Sequence, residues 1–296
     1  MLTNYVISIK TAIERRRHLQ QQFAQQNIPF TFFDALIPSE TLDQAIRRHL
    51  PNLAHADHLT SGEKACFMSH VLLWQKCIDE NLPYIAVYED DVLLGENAAC
   101  FLRDASWLDR RFSSEHTFIV RLETSLLPSV YYPCPAVLPY VNRHFSLLGS
   151  TQWGTAGYII SFKAAQLLLQ VLPTFTGEEL KAIDILMFGT LILRPDLLIC
   201  QMEPALCIQE DKYNEKITLH SQLEQDRKEK HIALHAEPPV PAPPKKSWKQ
   251  RLIHALTKIS REREKYRQRI IDEYITECGD ILKQHEDSRK KIVPFQ

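Results

Sequence analysis

Tyr84-Ile85-Ala86-Val87-Tyr88-Glu89-Asp90-Asp91-Val92-Leu93-Leu94 is the stretch on which the fold turns. Its first residues, rich in β-branched and aromatic side chains, predict a buried strand that runs straight into three consecutive carboxylates. Carboxylates crowded at the end of a core strand repel one another and lose hydration, so a neutralising cation is the usual reason they persist. Hard ions such as Mn²⁺ or Mg²⁺ prefer oxygen ligands, and a Mg²⁺-type ion takes one or two carboxylates and leaves positions for water and phosphate. A strand followed by a plain acidic turn fits the same letters.

Upstream, Thr60-Ser61-Gly62-Glu63 has the pattern of a capping box, with Thr60 as N-cap and Glu63 three positions on, and predicts a helix to about residue 81. Glu63, Phe67, His70 and Trp74 then share one face, which suits the rim of a cleft; a satisfied core histidine and a capping glutamate are the bland alternative. Leu82-Pro83 ends the helix and delivers the chain into the acidic strand. Earlier still, residues 5–9 predict a strand, 11–27 a helix and 30–33 a second strand, a β-α-β opening typical of α/β folds. Arg15-Arg16-Arg17 lies near the start of that helix, where cations oppose the dipole. A phosphate would relieve them; a solvated face is the other option.

Downstream, 97–112 is expected to be helical and 117–122 a strand ending at Glu123-Thr124. Residues 128–148 hold four prolines (128, 133, 135, 139) and several aromatics, the composition of an irregular lid or acceptor loop. In Gln152-Trp153-Gly154-Thr155-Ala156-Gly157-Tyr158 the glycines permit close backbone approach, and an exposed Trp153 would stack on a sugar face. Helices are expected over 163–172 and 178–188, the second holding Asp184 in an apolar run, either as a cap or as a catalytic carboxylate. Residues 198–202 and 205–209 read as late strands, and His220 sits in the polar segment beyond.

A chain of 296 residues with 45% hydrophobic content can bury one large core with an appendage. The seven cysteines are scattered, with no C-x-x-C pair, which speaks against a disulfide framework or a structural zinc site and fits a reducing cytoplasm. The first residues lack the features of a signal peptide, and no run approaches the roughly 18 apolar residues of a membrane span, so a soluble or peripheral chain is expected. A formal net charge of −1 conceals an asymmetry: from Lys245 to Arg269 there are ten Lys/Arg against Glu262 and Glu264. The proline-rich run 237–244 separates the two parts, giving a catalytic domain 1–236, a linker 237–244 and a basic tail 245–296. In the tail Trp248, Leu252, Leu256 and Ile259 recur at helical spacing among Lys and Arg, an amphipathic helix suited to an anionic membrane surface; packing on protein is the alternative. Nucleic acid is not expected as a partner, because no motif accompanies the charge.

Taken together, Val6-Ile7-Ser8-Ile9 with Arg15-Arg16, Thr60-x-Gly62-Glu63-x-Ala65-Cys66-x-x-Ser69-His70-x-x-Leu73-Trp74, Glu89-Asp90-Asp91, Arg121-Leu122-Glu123-Thr124, Gly154-Thr155-Ala156-Gly157-Tyr158 and Asp184 resemble glycosyltransferase family 25, the bacterial lipooligosaccharide galactosyltransferase group. The resemblance spans about residues 4–225. It implies a GT-A-like single α/β domain with a mixed, mostly parallel central sheet, and inverting transfer of a sugar, galactose by association, from a UDP-sugar to a lipooligosaccharide acceptor. It implies Mn²⁺ or Mg²⁺ on the acidic triplet, which stands where D-x-D is usual, with Asp91 as first ligand and His220 as a later one; by period-two alternation Glu89, a further ligand, shares the face of Asp91 if the strand continues. Ile7, Ser8, Arg15, Arg16, Glu63, His70, Glu89 and Asp90 would serve the donor; Glu123, Trp153, Gly154 and Thr155 the acceptor; Asp184 would be the base. A metal-dependent phosphoesterase or phosphotransferase and a non-catalytic membrane-associated interaction protein are the alternatives. The implied place is the cytoplasm, at the inner face of the membrane.

Overall fold

The computed structural model describes residues 2–113, 115–213 and 289–296. The chain opens as β1 (Thr3–Ser8), α1 (Ile13–Gln25) and β2 (Thr31–Asp34), with β2 parallel to β1, the expected β-α-β unit. Helix α2 (Glu40–His49) follows, with the Ser39 hydroxyl as its cap, and Pro51 starts a short 3₁₀ turn. Helix α3 (Ser61–Asp79) begins at the complete capping box, Thr60 and Glu63 each satisfying the other's backbone N–H. It feeds β3 (Tyr84–Glu89), then β4 (Val92–Leu94) and two short helices, α4 (Ala98–Leu102) and α5 (Ser106–Asp109). Next come β5 (Phe118–Arg121), β6 (Ser129–Pro133), β7 (His144–Leu148), β8 (Gly157–Ser161) and α6 (Phe162–Val171). The remainder is α7 (Ile183–Ile185), β9 (Leu198–Glu203), β10 (Cys207–Gln209), α8 (Glu210–Tyr213) and β11 (Arg289–Lys291).

Nine strands form one sheet in the order β11-β6-β7-β9-β5-β8-β3-β1-β2. Six of them (β2, β1, β3, β5, β9, β6) run one way and β8, β7 and β11 run against them, so the expected α/β domain with a mixed, mostly parallel central sheet is what forms. Strand β3 explains why its run is continuously apolar. Ile85 and Val87 join the core beneath α2, α3 and α6, while Tyr84, Ala86 and Tyr88 join the core beneath α1, α4 and α5. A strand covered on both faces has no polar side to alternate with.

Three expectations change. Residues 128–148 are not an irregular lid: they supply β6 and β7, paired antiparallel, and only their connection is loop. Pro133 closes β6 and Pro135 and Pro139 fall in that connection, where a missing N–H costs nothing. The helix expected over 178–188 shrinks to α7, which continues through a π-helical turn at Leu186–Thr190. The last eight residues, expected in the helical tail, instead return to the domain: β11 pairs with β6, Val293 enters the core, and the Val293 carbonyl accepts from the Thr124 hydroxyl at 2.7 Å. Arg143 donates to the carbonyls of Pro204, Ala205 and Gln296 and so ties this end to the turn before β10. The linker 237–244, the basic stretch 245–269 and His220 lie outside the described residues.

Candidate active site

The carboxyl end of β3 carries Glu89 and the turn Asp90-Asp91, and the small β4–β10 ladder brings α8 against it, with the Glu210 N–H donating to the Asp91 carbonyl at 2.9 Å. Asp90 and Asp91 are buried, and both face Arg15 from the first turn of α1, at 2.5 Å and 3.7 Å. The anion that relieves the crowded arginines is thus a carboxylate in each case. Arg16 binds Asp34 and the Ser8 carbonyl, and Arg17 pairs with Glu14.

Arg15 does not complete the balance. Burial, with Glu89 and Asp90 close by, pushes the Asp91 carboxyl up to about 7 in spite of Arg15, and Asp211 of α8 adds to the rise. One oxygen of Asp91 and one of Asp211 are buried without a hydrogen-bond partner among the described residues. These unserved carboxylate oxygens are hard ligands of the kind a Mn²⁺- or Mg²⁺-type ion prefers.

Glu89 turns elsewhere. Its carboxylate accepts from the Thr155 hydroxyl at 2.7 Å and lies 3.7 Å from His70 Nε2. Burial alone would raise its pKa; His70, Thr155 and Lys212 pull it below the ordinary value. Strand β3 ends at Glu89 and the chain turns at Asp90, so the alternation that would put Glu89 and Asp91 on one face stops short of Asp91.

The acceptor-side residues form one linked group. Glu123, fully buried past the end of β5, accepts from the Ala156 N–H at 2.9 Å and from Lys212 at 3.0 Å, and Arg121 lies 3.6 Å away. Gly154 packs so closely on Glu123 that an added Cβ would meet the carboxylate, and its φ of 90° is one that other residues resist. The Gly154 N–H donates to Asp184 at 3.1 Å and the Ile185 N–H donates to the other Asp184 oxygen at 2.9 Å, which orients that carboxylate at the start of α7. Trp153 is half-buried rather than exposed, its carbonyl accepting from Arg121 at 2.6 Å.

Some expected donor residues have structural partners. Glu63 serves the cap of α3, Ile7 lies in the core, and Ser8 is buried against Arg16. Asp211 and Lys212 are functional candidates that the sequence reading missed, although Glu210-Asp211-Lys212 follows the short buried strand β10 much as the acidic triplet follows β3.

The profile described as glycosyltransferase family 25 (LPS biosynthesis protein) matches residues 1–187. The chain belongs to this family. Among relatives of this family-25 glycosyltransferase, the lacto-N-neotetraose biosynthesis glycosyltransferase LgtB of Neisseria meningitidis serogroup B is 46% identical over 272 residues, covering 90% of this chain and 97% of the relative. The lipooligosaccharide biosynthesis protein lic2B of Haemophilus influenzae is 47% identical, over 79% of this chain and 86% of its own length. The lipooligosaccharide biosynthesis protein lex-1 of the same species is 36% identical, over 91% and 95%. The family-25 chain is accordingly a glycosyltransferase of lipooligosaccharide biosynthesis. Among its described residues no helix is long and apolar enough to cross a membrane.

Proposed function

We propose that the transferase moves a hexose, galactose by association with its family, from a UDP-sugar to a hydroxyl of a lipooligosaccharide acceptor, with inversion and with a divalent cation. The observation that carries this is the pair of buried, unserved oxygens on Asp91 and Asp211 beside the carboxyl ends of β1 and β3. Asp91, Asp211 and, by position in the sequence, His220 would hold Mn²⁺ or Mg²⁺. Such an ion, when bound, neutralises the charge that builds on a departing diphosphate.

The chain's own groups have these roles. Arg15, paired with Asp90 and Asp91 at the carboxyl end of β3, would lend its positive charge to the phosphates of the donor. Asp184 takes the proton of the acceptor hydroxyl; its orientation by two backbone N–H groups fixes the direction of attack. Trp153, Gly154, Thr155 and Glu123 shape the acceptor side, where the buried Glu123 holds the backbone of Ala156 and the Lys212 ammonium in place. A base contributes on the order of 10²–10⁴ in rate, about 3–5 kcal/mol. The basic stretch 245–269 supports peripheral attachment at the inner membrane surface, at about 1 kcal/mol per cation that reaches anionic headgroups.

The test is transfer from UDP-galactose, UDP-glucose and UDP-N-acetylglucosamine to a truncated lipooligosaccharide, with Mn²⁺ or with chelator. The anomeric configuration of the product is read by NMR. Expected is one preferred donor, an inverted product, and loss of turnover in chelator. Full turnover in chelator, or a retained configuration, overturns the corresponding part.

A further inference from the structure

Cys66 and His70 stand four residues apart on α3, so their side chains project from one face, a turn apart. Glu89, at the end of β3, turns its carboxylate toward that face. The thiol, an imidazole nitrogen and a carboxylate oxygen lie within 4.8 Å of one another. His70 is fully buried, its Nδ1 2.9 Å from the Tyr158 hydroxyl, and its Nε2 has no hydrogen-bond partner among the described residues. A buried ring nitrogen left unserved and aimed at a carboxylate calls for an occupant.

The spacing says which kind. Nε2 is 3.7 Å from Glu89 Oε1, too far for a hydrogen bond. Two ligands bound at about 2.0–2.2 Å to one tetrahedral ion stand roughly 3.4 Å apart, so a few tenths of an ångström of closure would seat both. The neighbours suit that use. Tyr158 engages the other ring nitrogen and is itself fixed by the Trp74 indole N–H at 2.9 Å, the kind of support that orients a ligating imidazole. Thr155 holds Glu89 at 2.7 Å. Sulfur, nitrogen and oxygen together select a borderline-soft ion, whereas Mn²⁺ and Mg²⁺ favour the all-oxygen set at Asp91.

We propose that Cys66, His70 and Glu89 form a second cation site, for a zinc-like ion, separate from the carboxylates that face Arg15. Binding releases the thiol proton to solvent and leaves the fourth position of the ion to water. The ion ties α3 to the end of β3 and fixes Glu89 beside the transfer site.

Full-length protein, stripped with chelator and kept reduced, is titrated with Co²⁺ while thiolate-to-cobalt charge transfer is read in the near ultraviolet. Expected is a one-equivalent band that Zn²⁺ displaces and Mn²⁺ does not, lost in Cys66→Ser, kept in Asp91→Asn, and weakened about 10–100-fold in affinity in Tyr158→Phe. No such band in the wild type, a band that persists in Cys66→Ser, or one lost in Asp91→Asn overturns the site. X-ray absorption of the zinc-loaded wild type needs no variant: one sulfur at about 2.3 Å is expected, and a shell of nitrogen and oxygen alone refutes it.

Discussion

Replacing Asp91 by Asn should stabilise the metal-free protein while abolishing its response to donor. The Asp91 carboxyl is pushed from 3.8 to about 7 by burial and by Glu89 and Asp90. An acid whose pKa is raised on folding favours the folded state most below its unfolded value, and that advantage is lost as pH climbs through the folded one. The window therefore runs from about pH 4 to pH 7, with the whole cost present above it. About three pK units at roughly 1.4 kcal/mol each give a ceiling near 4 kcal/mol, of which about 3 kcal/mol falls between pH 5 and pH 8. Asn carries no charge to desolvate, so its advantage over the wild type should widen by that amount, on the order of 5–10 °C in Tm for a domain of this size. The assay is thermal unfolding of both proteins in chelator at the two pH values, where titrations remote from Asp91 cancel in the difference. A second pair of scans with Mn²⁺ and UDP should raise the Tm of the wild type alone. An advantage that does not change with pH, or an Asn variant less stable at pH 8, would refute a buried acid waiting for a cation.

Three further outcomes are expected. Asp184→Asn should lower kcat by about 10²–10⁴ while leaving UDP-dependent stabilisation intact, and a loss in donor binding instead would count against its role as base. Gly154→Ala must place a Cβ against the Glu123 carboxylate at a φ of 90°, so urea unfolding should show a loss of about 1–3 kcal/mol. Removing residues 289–296 takes Val293 out of the core and leaves the Thr124 hydroxyl without its acceptor, and should cost at least about 2 kcal/mol in the same assay; an unchanged midpoint would mean β11 contributes nothing.

The opening β-α-β unit, α3 and β3 were legible because each is specified locally, by periodicity and by the Thr60–Glu63 box. The edge of the sheet was not. Arg289-Lys290-Lys291 forms a strand only because β6 lies open beside it, and lysines on an edge strand look from sequence like a solvated charge run. The acidic triplet at the end of β3 is plain in the sequence, but not the split within it, which depends on where β3 stops: Glu89 goes to Thr155 and His70, Asp90 and Asp91 to Arg15. Asp211 was missed because Asp91 is more than a hundred residues away, and the β4–β10 ladder and the Glu210 N–H bond to the Asp91 carbonyl bring the two segments together.

The Tyr213 and Phe295 rings touch edge to face at 5.1 Å. The last residues of the chain therefore pack directly on α8, and through that contact the C-terminal segment that carries the edge strand β11 braces the element holding Asp211 and Lys212.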